Sequence, residues 1–157
     1  MCVNTLYTLG TMLYTVKSLS DPLTALIKDD PVRPEIPLEF RVSERSEILV
    51  LLDDEYSKPQ AAVCVLYKDS VPRSVLELMH PSLDQLTVAV FYTIWSYVPG
   101  AGRRLIQSAQ KHIAQTRPMI TTFVTLSPQT DMARVFHLRN GAKVLNVNSD
   151  TVNYHYE

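Results

Sequence analysis

The sequence predicts a single α/β domain in which helices cover a mixed sheet, and three observations carry that expectation. Residues 87–95 ("TVAVFYTIW") and 119–126 ("MITTFVTL") are apolar on both alternating faces, as in strands covered by a layer on each side. The segment between them has helical periodicity. Upstream, two further apolar runs flank a polar turn, and the element order reads ααββ(α)βαβαββ. A chain of 157 residues, 46% hydrophobic and 20% charged, suits one globular domain with a single real core.

Each element has a local reason. Residues 5–28 read as helical in two pieces, the second opening at Asp21-Pro22 with Asp as cap and Pro at the first helical position. "DDPVRPEIPLEF" carries Pro31, Pro34 and Pro37, which forbid regular helix and make an extended connector, so residues 1–37 form a helical segment plus that connector. Residues 47–53 and 60–67 are strands, and "DEYSKP" between them makes a hairpin. A short helix is expected over 73–79. After Gly100 and Gly102, Leu105, Ile106, Ala109 and Ile113 share one helical face, while Arg103, Arg104, Gln107, Gln110 and Lys111 point away. Pro118 ends that helix. In "SPQTDMARVFHLRNG", Ser127 is expected to cap a helix, with Pro128 first and Gly141 closing it in the left-handed region. Two strand-like pieces, 142–147 and 151–156, finish the chain.

Charge and composition exclude several classes of function. The net charge is −1 and basic residues do not cluster beyond Arg103-Arg104, which argues against a nucleic-acid or anionic-membrane partner. Cys2 lies at the terminus and Cys64 inside "AAVCVLY", so a disulfide is not expected and a reducing cytoplasm fits. "MCVNTLYTLGTMLYTV" lacks a charged leader region, and its polar residues break any membrane-spanning run. His80 and His112 have no partners at metal-ligand spacing, so no metal site is expected.

The chain has only four glycines, and two of them sit one residue apart in "SYVPGAGRRLIQ". A buried strand that passes through such a turn into a helix offers unpaired N–H groups and a favourable dipole to an anion. It fits neither a P-loop nor a dinucleotide fingerprint. "YVPGAGRRLI" resembles the pyrophosphate loop Q/R-x-x-G-x-G/A of the GNAT acetyltransferase superfamily, with Tyr97 where Gln or Arg is usual. "ARVFHLRNGA" resembles that superfamily's A-x-x-F-Y-x-x-x-G-F, with His137 in place of Tyr and Ala142 in place of Phe. The resemblance covers residues 47–157. It implies a mixed, mostly antiparallel sheet with a central splayed strand pair and helices on both faces. It also implies acetyl-CoA or another CoA thioester as ligand, held at Tyr97, Val98, Gly100, Ala101, Gly102 and Arg103.

"VAVFYTIW", "FVTLSP", "FHLRNGAK" and "VNYHY" further resemble the C-terminal, GNAT-fold domain of malonyl-CoA decarboxylases. That likeness implies catalytic roles for Ser127 and His137. The resemblance begins after that family's large helical first domain, and the long stretch between its serine and histidine segments is here reduced to Pro128–Phe136. His137 could protonate a departing thiolate, since its unperturbed pKa lies near 6.5, or be a packed helix residue. Ser127 could bond the substrate or merely cap its helix. Tyr92, Tyr154 and Tyr156 are expected at the substrate cleft, the last two as strand residues on its floor, with ordinary cross-strand packing as the alternative. Residues 87–95 hold no carboxylate to act as base, and Asp53, Asp54 and Glu55 read as a solvated turn. The first reading is an acyl-CoA-dependent N-acyltransferase using an amine acceptor, with a homodimer possible. A compact decarboxylase-like lyase and a non-catalytic CoA-binding protein stand as alternatives.

Overall fold

The structure, a computed structural model, describes residues 3–8, 10–55 and 57–157. Their strands form one nine-stranded sheet. β1 (Val3–Thr8), β2 (Thr11–Val16), β3 (Ser46–Asp53), β4 (Pro59–Lys68) and β5 (Val88–Ser96) follow one another as antiparallel neighbours. β6 (Thr122–Thr125) then lies parallel to β5. β9 (Thr151–Tyr156) pairs with β6, β7 (Ser127–Pro128) and β8 (Lys143–Val147), all antiparallel. The helices are α1 (Leu38–Arg41), α2 (Val75–Met79), α3 (Ala101–Thr116) and α4 (Asp131–Arg139).

The first helical expectation is wrong. Val3–Thr8 and Thr11–Val16 are antiparallel strands, and β2 docks on β3 along its whole length. The described side chains of β2 are buried on both faces, so its periodicity carries no helical signature; Thr11, Thr15 and Val16 are β-branched and favour a strand. The Asp21-Pro22 start is real, since Asp21 accepts a hydrogen bond from Leu23 N at 2.9 Å. The segment it opens, Pro22–Asp29, closes as a 3-10 helix. Cys2 lies outside the described residues.

The second correction concerns Ser127. It is a strand residue paired with Val152, and Thr130 caps α4 by accepting from Ala133 N at 3.2 Å. The β9 strand takes Ser127-Pro128 into the sheet before the helix can begin. Gly141 does close α4, with φ +94° and the paired bonds Ala142 N to His137 O and Gly141 N to Leu138 O.

The sheet carries a layer on each face. Leu105, Ile106, Ala109 and Ile113 of α3 pack on Leu49, Val63, Val65 and Phe91. On the other face Ile48, Val50, Cys64 and Val90 meet Leu23, Ile27, Phe40 and Leu78.

Two irregularities in β5 position the site. Its parallel pairing with β6 runs only from Val88↔Thr122 to Phe91↔Thr125, after which the two strands separate. One residue later the register with β4 slips: Cys64 faces Thr93 and Val65 faces Phe91, leaving Tyr92 as the extra residue of a β-bulge. Tyr92 and Thr93 therefore both face the connector side.

A buried ion pair holds the connector there. Arg41 Nη1 donates to Asp30 Oδ2 at 2.7 Å, and both side chains are fully enclosed. Asp30 Oδ1 also accepts from Thr93 Oγ1 (2.6 Å), Val32 N (2.8 Å) and Arg33 N (3.0 Å). Burial works against ionisation of Asp30, but these bonds outweigh it and hold the carboxyl below its ordinary range. Removing one member of such a pair strands the other charge. Arg41→Met should therefore cost about 3–5 kcal/mol in denaturant unfolding. A loss under about 1 kcal/mol would show that the pair does not anchor the connector.

Candidate functional site

Where β5 leaves β6, a cleft of about 420 Å³ opens. Gly102, Phe136 and His137 wall it on the α3–α4 side. Pro31, Val32 and Thr93 wall it on the connector side, and Ser127 closes its edge. Tyr97 N donates to Gln60 O, so residues 93, 95 and 97 turn their backbone groups toward β4. By the same alternation the N–H and C=O groups of Ile94 and Ser96 face the opened edge.

The two glycines of the turn serve different needs. Gly100 sits at φ +79° as the cap of α3, a left-handed conformation that L side chains rarely adopt. Gly102 has ordinary helical geometry, but a Cβ there would lie 2.9 Å from Phe136 Cε1. It is bare because α4 packs against it. Ala101 N is bonded to Val98 O, and the next donors along the helix, Gly102 N and Arg103 N, have no intrahelical acceptor. Arg104 lies on the same first turn, and its buried Nε has no hydrogen-bond partner among the described residues. Val98 packs into the core and Arg103 is exposed. The Tyr97 side chain turns elsewhere: its hydroxyl accepts from Trp95 Nε1 at 2.9 Å and donates to Asp29 Oδ2 at 2.8 Å.

His137 is 4% exposed and tightly held. Its Nδ1 lies 2.7 Å from Tyr156 Oη, and its ring stacks on Tyr154 with centroids 5.0 Å apart. Burial lowers its pKa to about 4, so the imidazole is neutral at pH 7, unlike the half-protonated acid that an unperturbed value near 6.5 suggests. Tyr154 supports that ring and is not among the residues that wall the cleft. Tyr156, expected beside Tyr154 on the floor of the cleft, is instead the residue bonded to His137, and it too is not among those that wall the cleft. Ser127 also lines the cleft, and its hydroxyl donates to Thr125 Oγ1 at 2.8 Å. Tyr92 is buried at the bulge close to Cys64, whose thiol burial pushes up to about 11.

Among the described residues no carboxylate lines the cleft. Asp53, Asp54 and Glu55 sit at the β3–β4 turn outside its walls, and His80 is exposed beyond α2. His112 lies on α3, 3.9 Å from Glu47. No group of three or more metal-ligating side chains occurs among the described residues, and no helix there is long and apolar enough to cross a membrane.

A mixed sheet with one parallel pair that splays, a helix springing from a glycine turn at the splay, and helices on both faces define a GNAT-type architecture. Comparison with solved structures agrees. Malonyl-CoA decarboxylase from Rhodopseudomonas palustris superposes with a TM-score of 0.73 over 94% of this chain and 60% of that one, at 18% identity. The Agrobacterium vitis decarboxylase gives 0.66 over 84% of this chain and 37% of that one, at 23% identity. The GNAT domain of S. lividans PAT gives 0.62 over 93% and 89%, at 12% identity. The chain thus spans less than two thirds of the length of these decarboxylases. No family model and no curated protein matches it.

The burial of His137 has a consequence in pH. The unfolded chain takes up this proton near pH 6.5, whereas the folded one resists it down to about 4. The stability that neutral His137 contributes is full above about pH 6.5. It is lost progressively as pH falls from there to about 4, by up to about 3 kcal/mol. His137→Gln should flatten that part of the stability–pH curve. Parallel curves for the parent and H137Q between pH 7 and 4 would contradict the burial argument.

Proposed function

We propose that the chain is an acyl-CoA-dependent N-acyltransferase whose thioester and amine meet in the cleft between β5 and β6. The observation that carries this reading is that the cleft at the splay is lined from both faces of the sheet, by Gly102, Phe136 and His137 on one and by Pro31, Val32 and Thr93 on the other. Two substrates can then approach one point from opposite faces. The open N–H groups of Gly102 and Arg103, the helix dipole and the Arg104 guanidinium suit the pyrophosphate of CoA. The Ile94 and Ser96 N–H groups suit the thioester oxygen, where negative charge develops on attack. The amine nitrogen bonds to the carbonyl carbon and the C–S bond breaks. The amine's surplus proton passes through Nε2 of neutral His137 to the departing sulfur, with Nδ1 anchored on Tyr156. A shuttle of this kind begins and ends as neutral imidazole, so the low pKa does not forbid it.

The second reading is decarboxylation of malonyl-CoA. It is favoured by the presence of both Ser127 and His137 on a wall that carries no carboxylate. One assay separates the two. Acetyl-CoA should release free thiol only when an amine such as spermidine or a lysine amide is added, and malonyl-CoA alone should release no CO₂. His137→Ala should lower kcat about 10²–10⁴-fold and leave KM for acetyl-CoA nearly unchanged. CO₂ from malonyl-CoA without amine would make the second reading correct.

A further inference from the structure

The amine-binding mouth has a feature that the acyltransfer reading does not itself require. Thr93 lines the cleft from β5, and the bulge at Tyr92 turns it toward the connector. Its hydroxyl proton is committed: Thr93 Oγ1 donates to Asp30 Oδ1 at 2.6 Å. Asp30 cannot return a proton, since it is ionised and itself accepts from Val32 N, Arg33 N and Arg41 Nη1. The Thr93 oxygen is thereby left as a pure acceptor, with lone pairs that no described residue occupies. Pro31 and Val32, the residues after Asp30, form the adjoining wall and contribute no competing donor there.

We propose that Thr93, oriented by Asp30, receives an N–H of the acyl acceptor and so selects a primary or secondary amine. This rests on the acyltransferase reading. An acceptor-only oxygen discriminates by chemistry. It repels a carboxylate or a carbonyl and holds an amine by one hydrogen while the nitrogen lone pair turns to the thioester. An alcohol would also bond there, but it must surrender its proton as it attacks, and the cleft would have to pass that proton to His137, whose burial disfavours the protonated ring. An amine attacks first and loses its proton afterwards. Asp30 acts through Thr93 and is a positioning residue. The ion pair with Arg41 leaves it no net charge to spend on attracting a cation.

The test uses the whole chain with acetyl-CoA and two probes, spermidine and a lysine amide, measured by thiol release. Thr93→Val keeps the side-chain shape and removes the acceptor. It should raise KM for the amine about tenfold, the worth of one neutral hydrogen bond, while KM for acetyl-CoA stays within twofold. Thr93→Ser restores the oxygen and should return the amine KM to near the parent value; a merely structural role would instead move kcat and KM for acetyl-CoA together with the amine KM. An unchanged amine KM in Thr93→Val, with the parent active, overturns the Thr93 assignment and leaves the acyltransferase reading standing. A raised KM that Thr93→Ser fails to restore overturns it as well. A parent that transfers acetyl to neither probe while binding acetyl-CoA overturns both.

Discussion

The hydrogen bond from Leu126 N to the Phe91 carbonyl, at 3.1 Å, is the last that joins β5 to the strand beside it. Everything proposed for this protein depends on the pairing stopping there. A sheet that continued would pair the Ile94 and Ser96 backbone groups with a neighbour and leave no passage between the two faces. An opened sheet carries exposed backbone donors and acceptors, which is tolerable only where solvent or a ligand meets them. The gap therefore has to be propped from both sides. On one side the bare Cα of Gly102 lets Phe136 approach and fixes α4 against the start of α3. On the other, Asp30 and Arg41 tie the connector to the bulge that follows the last shared bond.

These two props differ in physical character, and the chemistry of each wall follows from that. The α3–α4 side is aromatic and dry. His137 is neutral because Phe136, Tyr154 and Tyr156 surround it and no carboxylate faces it. The connector side is polar but internally satisfied, with one carboxylate spending its lone pairs on Thr93, two backbone amides and a guanidinium. A thioester with a long apolar arm fits the first wall, and a small hydrogen-bond donor fits the second. That asymmetry is what favours transfer between two molecules over cleavage of one.

Much of this could be read from the residues in order. The runs that became β5 and β6 were recognisable because their apolar character persists on both faces, and those that became β3 and β4 because a polar turn parts them. The glycine pair stood out in a chain so poor in glycine, and it marks the turn it was expected to mark. Ser127 and His137 were singled out by the resemblance of the motifs that hold them, and both line the cleft. The failures have a common cause, which is that tertiary partners decided. β2 looked helical until β3 was there to pair with it, and Ser127 looked like a cap until β9 claimed it. Asp30 and Thr93 are 63 positions apart. One sits in a proline-rich connector and the other in an apolar strand, and neither carries a local sign of the other. Tyr156 was expected on the floor of the cleft, and only the fold sets its hydroxyl against His137.

The central claim is that the splay of β5 from β6 is where a CoA thioester binds. Titrating acetyl-CoA into isotope-labelled protein and following backbone amide resonances tests it most directly. The largest shifts should fall on Ile94, Ser96, Gly102 and Arg103, the four amides that the fold leaves open at the two sides of the gap. The amides of Thr15, Glu47 and His112, at the other end of the sheet and helix, should not move. Shifts confined to the surface around α2 and His80, or no shifts at millimolar ligand, would contradict the account.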